Sequence, residues 1–383
     1  MHRMIRKLGG ALIQSVVVGI RAGTKRFRRE PLQLVVCLLV PILATSDAIA
    51  EDAQVLEGYV AYEQATRSGD YAAAVAPVQE ALERARILYD DGHETVALLS
   101  FHYGRALYRD GQRVAAYAAL ETAREQYALV FGAQSVDMAT VLLALGDAAE
   151  TAGIARARYD EAVAVSSAAN GERSVAHAQV LLKAGSGLLE VHRAGTDAGL
   201  LVAAHEVLSE VDNAPSGLRA EAAVELGKLR LMQGRIDRAE SLSLEAVSLD
   251  QGERSAPAHT MLVKIYESRG ERDAATPHAL AVGRLRNARD SADDYLPLHR
   301  VAPSYPRNAL FAGKTGYVDF MFTVDAEGYL RDIEVTGGEE VPTFKAAATT
   351  AVRGFRYAPR FVDGVPVATP GVETRIRFEI GRR

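Results

Sequence analysis

Three groups of residues have types and spacings that invite a chemical reading. Gly313-Lys314-Thr315 has the ending of a phosphate-binding loop, but the Gly required five residues earlier is Asn308. A strand-like segment follows it, so no helix N-terminus would face a phosphate. Gly185-Ser186-Gly187 sets a hydroxyl between two small residues. It lies in a helical pattern, without the strand–turn–helix of a nucleophile elbow. His93, His102, His177, His192, His205 and His259 are scattered, without metal-ligand spacing. The expectation is a protein that is not an enzyme and holds neither metal nor cofactor. Its function then rests on surfaces, and the elements that build them decide what those surfaces do.

The 383 residues are 48% apolar and 24% charged, which excludes a disordered chain and allows two or three domains. Net charge is −5 but unevenly spread: residues 51–295 hold 24 Lys+Arg against 37 Asp+Glu, and residues 296–383 hold 12 against 10. An acidic body of this kind excludes a nucleic-acid surface, which needs a basic face to displace counterions.

Residues 1–50 read as a leader. The basic cluster Lys25-Arg26-Phe27-Arg28-Arg29 precedes the apolar run Leu32 to Ala44, and Ala48-Ile49-Ala50 supplies a small-x-small cleavage site. The run is shorter than the ~20 residues of a spanning helix and contains Pro41. Cleavage near Ala50 and a periplasmic location are expected; an uncleaved inner-membrane anchor facing the periplasm is the alternative. The single cysteine, Cys37, excludes an intrachain disulfide and a cysteine zinc site. The residues before it are too large, and the apolar run too continuous, for a lipoprotein signal.

From residue 51 to 290 the pattern is helical and repeating. Gly69, Gly111, Gly153, Gly195, Gly234 and Gly270 recur at intervals of 42, 42, 42, 39 and 36 residues. Each is expected to close one Ala/Leu-rich helix in a left-handed conformation before the next begins. Ala74, Ala116, Ala239 and Ala275 stand five residues after four of these glycines, where a small side chain lets two helices approach. Arg158 and Leu200 make the third and fourth units irregular. With Leu145-Gly146, Leu226-Gly227, Tyr266, Asp70-Tyr71 and Tyr159-Asp160-Glu161-Ala162, the stretch resembles tetratricopeptide repeats in the 42-residue form of kinesin light chains. The resemblance implies an α-solenoid that binds protein segments.

Helical spacing stops near residue 291. Gly316 to Val324 reads as a strand, Asp325-Ala326-Glu327-Gly328 as a turn and Tyr329 to Thr336 as the returning strand. Val341 to Arg353 reads as a helix, with Phe344, Ala347, Ala348, Ala351 and Val352 on one face. Phe355 to Arg360 is extended, Asp363-Gly364 turns, and Val372 to Ile380 alternates as a last strand. The expected order is β-β-α-β, a small α+β module over residues 291–383 with a short linker.

The module resembles the C-terminal domain of the TonB energy-transducer family through Tyr305-Pro306, Ala309, Gly313, Gly316, the Asp325–Gly328 turn, Phe355-Arg356-Tyr357-Ala358-Pro359, Asp363-Gly364-Val365-Pro366 and Phe378-Glu379-Ile380. The resemblance implies an envelope protein associated with transmembrane transport. Its partner would be an outer-membrane transporter or another envelope protein, paired along the last strand at Val372, Thr374, Arg375, Ile376, Arg377 and Phe378. The chain departs from the transducer in lacking a Pro-rich spacer, and Ala302 stands where TonB has a Gln in receptor contact. A second reading is a periplasmic repeat scaffold in which the module is structural or makes a homodimer.

Overall fold

Alanine and leucine at 3-to-4-residue spacing form helices, and glycine decides where several of them stop. The computed structural model describes residues 47–192, 198–287 and 296–380. The leader cluster, the apolar run, Cys37 and Gly195 lie outside the described residues. Twelve helices occupy residues 47–287 among the described residues: α1 (Asp47–Ser68), α2 (Tyr71–Leu88), α3 (Glu94–Arg109), α4 (Arg113–Val130), α5 (Val136–Ala148), α6 (Ala152–Asn170), α7 (Val175–His192), α8 (Gly199–Glu210), α9 (Ser216–Met232), α10 (Ile236–Leu249), α11 (Ala256–Arg269) and α12 (Arg272–Asn287). The chain divides into two compact units between Val165 and Ser166, within α6.

In the unit ending at Val165, α1 packs on α2 and α3 on α4 as antiparallel pairs. Val55, Tyr59, Val78, Ala81, Leu82, Val96 and Leu99 form a continuous buried cluster. In the unit beginning at Ser166, α7 pairs with α8, α9 with α10 and α11 with α12. The four alanines expected at close helix contacts, Ala74, Ala116, Ala239 and Ala275, are all buried.

The helix-closing glycines hold at four positions: Gly69, Gly111, Gly234 and Gly270 have φ of 78°, 84°, 72° and 78°. Gly270 shows the reason, since its left-handed conformation lets its N–H and that of Glu271 return to the carbonyls of Glu267 and Tyr266. Gly153 differs from expectation. It is the second residue of α6 rather than a terminator, and Ala155, fully buried, takes the close-contact position. The third unit is thus shifted by three residues relative to the glycine spacing, which accounts for the irregular Arg158. That side chain bridges helices, donating to Glu121 at 2.7 Å and Glu161 at 3.0 Å.

The C-terminal module contains β1 (Pro297–His299), α13 (Arg307–Phe311), β2 (Gly316–Val324), β3 (Leu330–Glu339), α14 (Val341–Arg353), β4 (Arg356–Tyr357), β5 (Arg360–Val362), β6 (Val365–Val367) and β7 (Thr369–Phe378). A three-stranded antiparallel sheet has the order β3-β2-β7, and the expected β-β-α-β framework is its skeleton. The helix bounds match expectation. β3 runs on to Glu339, and β7 begins at Thr369 and ends at Phe378. Two small pairings were not expected, β1 with β4 and β5 with β6. Along β2, Val318, Phe320, Phe322 and Val324 face inward and join Phe344, Ala348 and Val352 of α14 in one core with Phe355, Tyr357 and Phe378. Burying side chains of this kind contributes about 1.5–3 kcal/mol each.

Candidate protein-interaction site

Among the described residues, a sheet of order β3-β2-β7 leaves one side of β3 and one side of β7 without a partner strand. Such edges carry main-chain N–H and C=O groups that a further strand can satisfy. The two edges are not equivalent. The β2–β3 register breaks between Asp319 and Phe320 and again between Met321 and Thr323. Asp332 on β3 has φ of 52° and Gly338 has φ of 140°, so that edge is kinked away from a regular ladder. The β2–β7 register is unbroken from Gly316 opposite Phe378 to Phe322 opposite Val372. The outer side of 372–378 is therefore the regular edge.

Side chains along β7 alternate as the pleat requires. Val372, Ile376 and Phe378 point into the core, where Phe378 stacks on Phe344 with ring centroids 4.3 Å apart. Thr374 is half-buried and hydrogen-bonds the Tyr357 hydroxyl, whose pKa is pushed up by burial against the opposing effect of that bond. Arg375 and Arg377 are exposed. Arg375 is engaged: it holds Asp319, directly opposite on β2, through two hydrogen bonds of 2.6 and 3.0 Å. Its guanidinium also lies 3.9 Å from the centre of the Tyr317 ring. Asp319 and Tyr317 were not singled out in the sequence, because only the register places them beside Arg375. Of the six residues expected to contact a partner, Val372, Ile376 and Phe378 thus place their side chains in the core and leave only backbone at the edge.

The remaining chemical candidates resolve into structural roles. Lys314 makes an ion pair with Glu340 at 2.9 Å. Gly185 and Ser186 lie inside α7, where a Cβ on Gly185 would collide with Leu201. His93 caps α3, its ring accepting from the Thr95 N–H at 3.2 Å. His102 is half-buried beside Tyr59 and Tyr62, and desolvation lowers its pKa to about 4. His205 meets Glu245 at 3.1 Å, and His259 meets His278 with Nδ1 atoms 2.8 Å apart. His177 is buried, and the side chain of His192 lies outside the described residues. Among the described residues no three His, Cys, Asp or Glu side chains converge as a metal site would require.

Fold and edge together define a helical-repeat protein that ends in a small strand-presenting module. The module is of a known family: residues 301–380 match the one described as Gram-negative bacterial TonB protein C-terminal. The chain is also similar to the crystal structure of BtubC from P. vanneervenii, at 16% identity over 64% of this chain and 94% of that one, with a TM-score of 0.44. A Rap protein complexed with competence and sporulation factor is 15% identical over 64% of this chain and 78% of its own, with a TM-score of 0.41. Kinesin light chain TPR-like repeats from Podosopora anserina are 13% identical over 65% of this chain and 100% of theirs, with a TM-score of 0.33. No curated protein matches the sequence. Among the described residues no helix is long and apolar enough to cross a membrane.

Proposed function

We propose that this chain is an exported envelope protein, with residues 1–50 as leader, 51–290 as repeat array and 291–383 as binding module. The module captures a protein partner by strand addition along β7. The observation that carries this reading is the unbroken β2–β7 register beside an outer edge that, among the described residues, has no paired strand at 372–378. Backbone hydrogen bonds along such an edge supply affinity, and the alternating side chains of the incoming strand supply selectivity. The partner is an outer-membrane transporter or another periplasmic-facing envelope protein, in a process of transmembrane transport. With Arg375 already neutralised by Asp319, Arg377 is the cation left to favour an acidic segment.

A scaffold reading, in which the repeats recruit the partner and the module is structural, is favoured by the contacts the module makes with α11 and α12. Proline separates the two. Adjacent residues of an antiparallel strand direct their N–H groups to opposite sides, so one of Thr374→Pro and Arg375→Pro blocks the outer edge and the other breaks the ladder to β2. Pull-downs from envelope extract should show the folded, edge-blocked variant losing the partners of the wild type. If that variant captures the same partners, strand addition is wrong and the repeats become the binding surface. A change in oligomeric mass without loss of partners would identify the edge as a homodimer contact.

A further inference from the structure

In a stacked helical array each second helix is covered by the first helix of the next repeat. Here α2 is covered by α3, α4 by α5, α8 by α9 and α10 by α11. No repeat follows α12, and an uncovered terminal helix exposes apolar surface, so arrays of this type need a cap. Arg272, Thr276, Ala279, Gly283 and Arg286 run down one side of α12 at helical spacing, and the C-terminal module meets all five. The Tyr329 hydroxyl donates to the Arg272 carbonyl at 3.3 Å, and Arg356 donates to Thr276 Oγ1 at 2.8 Å. Ala279 and Val282 cluster with Val263 of α11, Leu298 of β1 and Ala358. A Cβ on Gly283 would collide with the Pro359 carbonyl, and Arg286 donates to the Leu296 carbonyl at 3.4 Å.

Arg356 is the centre of this joint. It is fully buried, and its Nη1 donates to Glu267 of α11 at 2.7 Å, where the Glu267 side chain is 6% exposed. Its Nη2 also donates to the Glu327 carbonyl at 2.8 Å, and its guanidinium lies 3.5 Å from the centre of the Tyr329 ring. Two charges stripped of water in this way require one fixed geometry, because Arg356 alone would be a buried unpaired ion and Glu267 would keep only Arg272, at 4.0 Å. A module on a loose tether would leave both hydrated.

We infer that the C-terminal module is the terminal cap of the helical array, with the last repeat pair and the module forming one cooperative unit around Arg356 and Glu267. The inference is independent of strand addition: the joint uses β1, the β2–β3 turn, β4 and Ala358-Pro359, whereas the proposed binding edge is β7. Hydrogen–deuterium exchange on the full chain tests it with Arg356→Glu, Glu267→Arg, the double reversal, and Gly283→Ala. Arg356→Glu, a change within the module, should speed exchange of the slow α11 and α12 amides at least tenfold, and the double reversal should recover most of that protection. Gly283→Ala raises intrinsic helix propensity, so a free α12 would become better protected. The cap predicts the opposite, faster exchange in α12 and in β1 and β4. Wild-type protection of α11 and α12 in Arg356→Glu, or increased α12 protection in Gly283→Ala, would overturn the inference.

Discussion

Buried charge and desolvated imidazole set the sharpest constraints at the scale of single residues. Removing one partner of a buried ion pair costs about 3–5 kcal/mol, because the other is left unpaired. Glu267→Ala should therefore lower the denaturation midpoint of the full chain far more than Glu80→Ala, whose pair with Arg84 is exposed on both sides and is worth at most about 1 kcal/mol. Urea titration followed by circular dichroism measures both. His102 and His259 have pKa values lowered to about 4, each chiefly by desolvation. An unfolded histidine titrates near 6.5. Between the two values the unfolded chain binds protons that the folded chain does not, so stability rises with pH there. The contribution is complete above about pH 6.5 and is lost as pH falls toward about 4. Thermal midpoints should drop between pH 7 and pH 4.5, and His102→Gln or His259→Phe should flatten that drop. An unchanged slope in both variants would mean that other groups govern acid sensitivity.

Glycine plays two different parts in the helical elements, and the sequence alone displays only one of them. A residue with φ near +78°, such as Gly270, announces itself by ending a helical pattern. Gly146 sits inside α5, and its role is closeness: a Cβ there would strike the ring of Tyr159 on α6, whose hydroxyl donates to Asp147 at 2.6 Å. Gly153 has no atom near its missing Cβ. Gly146→Ala should destabilise by about 1–3 kcal/mol through overpacking, while Gly153→Ala should be neutral or stabilising by under about 1 kcal/mol. Melting curves of the two variants distinguish these outcomes. The 42-residue glycine spacing made helix pairs legible but placed the third unit three residues off, since Gly153 falls by chance on the period. In the C-terminal module the helix Val341–Arg353 and strand β2 were readable because their apolar residues keep a strict period. The short β1 was not readable, because three residues carry no period. Arg356 was visible only as a member of a Phe-Arg-Tyr-Ala-Pro motif. Its partner Glu267 lies 89 residues away in sequence, a separation that no local pattern encodes. The last strand was readable from alternation and its role as a pairing edge came only from the family resemblance, whereas the Asp319–Arg375 and Tyr317–Arg375 contacts needed the register.

For the molecule as a whole, the proposed binding edge and the joint occupy different strands of one small module, and the dipeptide Arg356-Tyr357 touches both. Arg356 reaches Glu267 in the last repeat pair, and Tyr357 reaches Thr374 on β7. The unit from Ser166 onward can thus hold β7 on a fixed support instead of trailing it on a linker. The central claim, that the outer side of β7 receives a partner strand, is tested most directly by photo-crosslinking in intact cells. A photoreactive residue replaces Glu373 or Arg377, which flank the edge, or Ile87, an exposed position in the repeats. The account predicts a discrete partner adduct from Glu373 and Arg377 that disappears when the edge-blocking proline is added, with no such adduct from Ile87. A partner adduct that persists with the edge blocked in a folded protein, or one that forms from Ile87 while both β7 positions stay silent, would contradict it.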